Sequence, residues 1–188
     1  MKVKLSPADA RRLLEPGPVA LVTASWKGRP NIMTAAWVMP LSADPPLVGL
    51  AVSPLRFTHD LIKNSEEFAL NIPGRALVEK TWLCGNVSGK ELDKFEEAGL
   101  TPLDAREIEA PLIEECLAHI ECGVIDAISI GDHTLFVGRV VAVSAEEGCF
   151  EKLWLLGDEE ARPLHHLGAD YYAVLEKPLL GHALEERE

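Results

Sequence analysis

The chain contains no apolar run approaching the ~20 residues that a membrane-spanning helix requires. Its N-terminus, Met1-Lys2-Val3-Lys4-Leu5-Ser6-Pro7, has basic residues but no apolar stretch behind them, and so lacks the form of a signal peptide. A cytoplasmic protein that does not enter a membrane is expected. Cysteine is sparse: Cys84, Cys116, Cys122 and Cys149 form no Cys-x-x-Cys pair from which a histidine could stand at zinc-ligand spacing. No metal site is expected, and in the cytoplasm these residues read as reduced, semi-buried thiols. Positive charge is short as well. Lys and Arg number 18 against 30 Asp and Glu, a formal charge of −12 with no basic stripe to offset it. Affinity for a polyphosphate rests on counterion release by clustered Lys and Arg, so nucleic acid is not an expected partner.

Several signatures of catalysis are absent too. There is no Gly-x-Gly-x-x-Gly and no Gly-x-x-x-x-Gly-Lys-Ser/Thr, hence no Rossmann or P-loop nucleotide site. No Gly-x-Ser-x-Gly elbow occurs, and the adjacent His165 and His166 belong to no His-Glu-x-x-His. If the chain is an enzyme, its reactive group is expected to come from a cofactor.

What is present is an ordinary globular composition, 47% hydrophobic and 26% charged over 188 residues, enough for one domain with a sizeable core. No repeat, linker or low-complexity stretch divides it, so residues 1–188 read as a single domain. Ser6 and Pro7 open a short helix, as cap and first-turn residue, which ends before Pro16. Residues 19–25 are a compact run of β-formers and read as a buried strand. Lys27-Gly28-Arg29-Pro30 is a turn, and 31–38 is a second strand returning antiparallel. Residues 40–46, punctuated by Pro, Ser and Asp, read as an irregular loop before a third strand at 47–53. Thr58 caps a short helix over 59–64, and 68–72 is a fourth strand. Helices are expected over 76–82 and 91–98, with a loop at 85–89 and Gly99 in the left-handed position that closes helices. Two long strands, 116–130 and 134–145, flank the turn Gly131-Asp132-His133, and 164–174 holds one more short strand. About six strands, with helices confined to the middle and no β-α-β alternation, point to a mainly β fold: an antiparallel barrel with inserted helices.

Three segments carry candidate chemistry. In Asn31-Ile32-Met33-Thr34-Ala35-Ala36-Trp37, the small residues at 34–36 would let a flat molecule lie close to the backbone; a strand packed tightly on another strand would use them equally. Ser53-Pro54-Leu55-Arg56-Phe57-Thr58 ends at an expected helix start. There a hydroxyl pair and a planar guanidinium at the positive helix end suit a monophosphate. A capping Thr beside a surface Arg is the plainer alternative. Cys84-Gly85-Asn86-Val87-Ser88-Gly89, followed by Asp93-Lys94-Phe95, is a glycine-flanked loop able to present backbone donors, though loops of this composition are common.

In order and spacing these segments resemble the flavin reductase-like family of FMN-binding split-barrel proteins, which includes flavoredoxins and the reductase components of two-component monooxygenases. The resemblance runs from Pro18 to about Ala145. It also takes in Pro45-Pro46, Glu67-Phe68-Ala69-Leu70-Asn71-Ile72-Pro73, Ser88-Gly89, and Gly131-Asp132-His133-Thr134-Leu135-Phe136-Val137-Gly138. It implies a six-stranded antiparallel Greek-key barrel, homodimeric, whose dimer interface helps form the flavin site. It further implies that Met33, Thr34, Ala35, Ala36 and Trp37 line the isoalloxazine, largely through backbone groups. Ser53, Arg56 and Thr58 would hold the phosphate, with Phe57 beside it. Ser88 and Gly89 would form a further contact, one that could reach the partner subunit's flavin. His133 falls where related reductases carry a histidine near flavin and nicotinamide; a polar turn residue between two long strands is the alternative. Relatives often have Glu where this chain has Arg139, which changes the charge near the dimer seam.

The implied activity is that of an FMN-dependent oxidoreductase, passing hydride or electrons from NADH or NADPH to a small-molecule or protein acceptor. Such chemistry belongs to the flavin, which accounts for the missing acid–base pair. An FMN-binding electron carrier without NAD(P)H activity, a non-enzymatic flavin-binding protein, and haem or pyridoxal handling on the same barrel stand as alternatives.

Overall fold

The computed structural model describes residues 6–7, 10–15 and 17–181. The apolar run at 20–24 is explained by burial on both faces. In β2 (Ala20–Trp26), Ala20, Val22 and Ala24 enter the main core, while Leu21 enters a second cluster under the helices. A two-residue turn at Lys27 and Gly28, with φ of 52° and 71°, returns the chain as β3 (Arg29–Ala35). Positive φ at both central residues matches the twist of a tight hairpin. Ala36 and Trp37 leave the strand, and the chain re-enters the sheet as β4 (Val38–Ala43) against β5 (Pro46–Val52). There follow α2 (Phe57–Ser65), β6 (Glu67–Ile72), a 3₁₀ turn, α3 (Val78–Asn86), α4 (Lys94–Ala98) and the short pair β7 (Pro102–Leu103) and β8 (Leu112–Ile113). A long hairpin, β9 (Ala118–Ile130) and β10 (His133–Ala145), completes the large sheet. Last comes a small hairpin, β11 (Leu164–Gly168) and β12 (Tyr171–Val174), to which β1 (Gly17–Pro18) adds; the one-turn α1 (Ala10–Leu14) precedes it.

Seven strands form one antiparallel sheet in the order β3-β2-β6-β9-β10-β5-β4. Its two end strands, β3 and β4, are consecutive in the chain and joined only by Ala36 and Trp37. The edges are therefore brought back together there without pairing, and the sheet curls into a split barrel. Val22, Leu50, Phe68 and Phe136 fill it, with Leu61 and Ile62 from α2. Gly138 admits the Phe68 ring, since a Cβ there would lie 2.6 Å from Cζ. On the other face of β2 and β3, Leu21 and Ile32 join Leu77, Cys84, Phe95 and Leu100, which seats α3 and α4 against the barrel. The mainly β barrel with inserted helices is what the sequence leads one to expect.

Several local expectations are corrected. Residues 40–46 are not a loop: β4 occupies most of them, and this is the seventh strand where six were expected. Proline lacks a donor and is tolerated on an end strand or at a bulge; β4 is such a strand, with a register shift between Pro40 and Ser42. The second strand stops at Ala35 rather than running to 38, because the chain there crosses from one sheet edge to the other. Arg56, not Thr58, is the N-cap of α2: the Arg56 N–H donates to the Ser53 carbonyl at 3.0 Å and turns the chain two residues early. α3 runs on through Gly85 to Asn86, because Gly85 packs on Thr34, its Cβ position 3.2 Å from that of Thr34. α4 starts late, at Lys94, where the Asp93 carboxylate caps the N–H groups of Phe95 and Glu96; Gly99 closes it at φ 57° as expected. Residues 164–174 make two strands, because Gly168 and Ala169 turn at φ 115° and 49°. The expected helix start at Ser6 lies partly outside the described residues. No helix among those described is long and apolar enough to cross a membrane.

Candidate functional site

Where β3 leaves the sheet, two clefts open side by side, and Met33, Thr34 and Arg56 line both. The first, of about 280 Å³, lies between β3, the start of α2 and the α3–α4 connection. The second, of about 410 Å³, lies between residues 33–37, the end of β5 and His133 on β10, with Arg11, Glu15 and His166 completing its wall.

The first cleft collects donors. Arg56 enters α2 with extended backbone (φ −84°, ψ 137°), and no side chain caps the helix, which leaves a positive dipole end with unsatisfied N–H groups at the cleft. Lys94, the first residue of α4, is 5% exposed, and its Nζ donates to the Cys84 carbonyl oxygen at 2.6 Å. Burial lowers the Lys94 ammonium to about 8; the Cys84 thiol opposes that effect and the Arg56 charge adds to it. Burial likewise pushes the Cys84 thiol up to about 11. Two cations, one buried and one exposed, thus line one cleft close enough to repel, an arrangement that an anion between them would relieve. Thr58 Oγ1 accepts from Asn31 Nδ2 at 2.7 Å, which leaves the hydroxyl proton of Thr58 to donate elsewhere. Gly89 closes the wall so tightly that a Cβ there would lie 1.8 Å from Asn31 Oδ1. A monophosphate fits this set: every charged group is a donor, and the helix start adds more.

The second cleft is more open, with residues 33–37 along one side. β3 is an end strand, so alternate backbone N–H and C=O groups along 33–35 point away from β2 and are available to a planar ligand. The Thr34 hydroxyl is already committed to the Thr81 carbonyl at 2.5 Å, which fixes α3 over the strand. Trp37 and His133 have ring centroids 4.6 Å apart and inclined by 37°. His133 Nδ1 lies 2.7 Å from Asp132 Oδ1, so Nδ1 carries the proton and Nε2 is the atom left for a ligand. That hydrogen bond, then the His133 and Arg11 charges, holds the Asp132 carboxyl below its usual range.

The twelve residues singled out from sequence all line one cleft or the other. Besides the three shared ones, Phe57, Thr58, Ser88 and Gly89 line the first, and Ala35, Ala36, Trp37, Ser53 and His133 the second. Ser53 thus sits at the end of the site away from Thr58, its Oγ accepting from Leu55 N–H at 3.4 Å. Asn31, Gly85, Asn86 and Lys94, which stand in the candidate segments without being assigned a contact, line the first cleft; Arg11, Glu15 and His166 at the second lie outside every candidate segment. Lys94 stands in the segment Asp93-Lys94-Phe95, expected inside a helix over 91–98, and nothing local marks it as turning inward. Arg11 and His166 come from opposite ends of the chain and left no local signal. Cys84, Cys116, Cys122 and Cys149 are all buried free thiols. Among the described residues no three His, Cys, Asp or Glu gather as a metal site.

A protein of Pyrococcus abyssi without a characterised function is 41% identical over 143 residues, 76% of this chain and 82% of that one. The structure of flavoredoxin from Desulfovibrio vulgaris (Miyazaki F) is similar, with a TM-score of 0.84 at 30% identity over 99% of both chains. That of an FMN-binding protein from Thermus thermophilus with bound p-hydroxybenzaldehyde has a TM-score of 0.83 at 29% identity, over 97% of this chain and 99% of that one. Residues 11–173 match the model of the flavin reductase like domain, and the chain belongs to that family.

Proposed function

We propose that the chain, a single domain over residues 1–188, binds FMN across the two clefts and passes hydride or electrons from NADH or NADPH to an acceptor. The observation that carries this reading is the pairing of Arg56 and Lys94 beside an uncapped helix start, next to the exposed edge of an end strand. Arg56, Lys94 and the Thr58 hydroxyl would hold the phosphate, with Phe57, Ser88 and Gly89 shaping the wall. Met33, Thr34, Ala35, Ala36 and Trp37 would line the isoalloxazine, Ser53 lying at that end. Bound there, FMN supplies the hydride and electron chemistry, and the protein supplies orientation, charge and control of water. His133 would act as the residue that meets the second reactant, its Nε2 free and its ring braced on Trp37. The names of the flavoredoxin and of the FMN-binding protein support FMN as the ligand.

A homodimer is part of the same reading. The pairing Met39↔Gly49↔Val137 and Leu135↔Ile128 gathers apolar side chains on the face of β4, β5, β9 and β10 that turns away from the core. Met39 is 51%, Leu41 41% and Ile128 43% exposed. An apolar face beside the ring end, and no helix in the described residues suited to a membrane, fit a cytoplasmic dimer. The test is a visible spectrum of the purified protein with added FMN, then anaerobic addition of each nicotinamide. Bound flavin that bleaches with NADH or NADPH is expected. No flavin spectrum would sink the reading, and flavin that stays oxidised with both would make the chain an electron carrier instead.

A further inference from the structure

The second cleft is completed by residues for which an isoalloxazine alone has no use. β1 pairs with β11, Gly17 against His166 and Pro18 against His165, which sets α1 beside the small hairpin. Arg12 Nη1 bonds Glu15 Oε2 at 2.7 Å, and the pair lies close over Gly168, where a Cβ would meet Nη1 at 2.8 Å and Oε2 at 3.1 Å. The charge of Glu15, 8% exposed, is therefore matched within its own segment. Arg11 also lines the cleft, and among the described residues its guanidinium has no hydrogen bond or ion pair. Its charge reaches Asp132, the partner of His133, so it acts over the mouth where Trp37 and His133 meet. His166 lines the same wall. Its Nε2 lies 3.0 Å from the Ala169 carbonyl oxygen and so carries the proton; Nδ1 is shielded from water and has no partner.

Arg56 stands at the junction of the two clefts and is taken by the phosphate in the flavin reading, on which this inference rests. That leaves Arg11 as the other guanidinium of the second cleft, countered only at longer range by the exposed Asp132 and sharing the wall with two imidazoles, in a chain of formal charge −12. A neutral reactant gains little from such a group, whereas an anion gains a charge-assisted hydrogen bond at the cleft wall. We propose that Arg11, with His166 and His133 beside it, forms an anion-recognising subsite. The second reactant would carry its negative group on the side facing α1. Two sources share that chemistry: a small planar acid serving as acceptor, and the diphosphate of a nicotinamide dinucleotide.

The experiment uses the full chain loaded with FMN, after FMN affinity has been measured by fluorescence quenching. Absence of FMN binding at that step overturns the flavin reading and is seen before any anion is added. Sodium benzoate, benzamide (the same ring without charge) and ADP-ribose are then titrated against the wild type, Arg11→Ala and Arg11→Lys, with flavin difference absorbance and calorimetry as readouts. Benzoate is expected to bind more tightly than benzamide by on the order of tenfold. That preference should vanish in Arg11→Ala and return in part in Arg11→Lys. If ADP-ribose is instead the ligand whose affinity falls in Arg11→Ala, the anion belongs to the dinucleotide and the subsite stands. If neither anion binds in a manner that depends on Arg11, the subsite is refuted. Arg11 is exposed, so its replacement leaves the core untouched.

Discussion

At the scale of single residues, Lys94 concentrates the chemistry of the first cleft. A buried lysine with one carbonyl partner keeps two donors for a ligand, and its lowered basicity makes the grip sensitive to pH. Replacing it by Met is expected to weaken FMN binding by about 10–100-fold, the usual worth of a hydrogen bond to a charged group. The sign of the pH effect follows from the direction of the shift. Below about 8 the empty site already holds an ammonium; above it, binding a phosphate must draw a proton back onto Nζ, so affinity falls as pH rises through that value. FMN titrations from about pH 6.5 to about pH 9.5 should show this loss in the wild type and a flat profile in Lys94→Met. Without ligand, the folded chain binds fewer protons at Lys94 than the unfolded chain between about 8 and the ordinary lysine value of 10.5, so this group favours folding increasingly as pH rises there. Gly89 tests the wall from the other side. Gly89→Ala would drive a methyl group into Asn31 and break its buried bond to Thr58, so FMN affinity should drop and the thermal midpoint of the ligand-free chain should fall with it.

Among elements, the strand that seats the site is held by one buried side chain. Asn71 on β6 donates to the Leu21 carbonyl at 2.8 Å and to Thr23 Oγ1 at 3.1 Å, and accepts from Ile113 N–H at 2.9 Å. It thereby ties β2, β6 and β8 into one layer. Asn71→Ala leaves a buried donor on Ile113 without a partner and should cost about 2–3 kcal/mol, read as a lower midpoint in urea denaturation. The long hairpin, the buried β2 and the closing Gly99 were legible in sequence because each rests on local periodicity or a local φ requirement. The strand β4 was not, since its Pro40 and Ser42 look like loop residues until the sheet places them on an end strand with a bulge. The N-terminus of α2 was misplaced for a related reason: a bond between Arg56 and Ser53 starts the helix, and Thr58, an apt cap by type, is claimed by Asn31, 27 positions away.

For the molecule as a whole, the proposed dimer makes its own prediction. Leu41 and Leu135 flank Gly49 on the outer face, each with a methyl carbon 3.2 Å from the Cβ position of that glycine. Leu135→Asp should leave the barrel core intact and turn a dimer into a monomer in sedimentation equilibrium; unchanged sedimentation would remove this face as the interface. The sequence by itself determined the mainly β class, most of the strands along the chain and the three candidate segments, because alternation, turn chemistry and glycine placement act over a few residues; that the segments belong to one site came from their joint resemblance to a family. Only the tertiary structure decided that Lys94 turns inward at the cleft that Arg56 lines, and that Arg11 and His166 share a cleft with Trp37 and His133. Those charges converge through sheet pairing and helix seating between distant parts of the chain, and no local pattern of residue types encodes where such a contact falls.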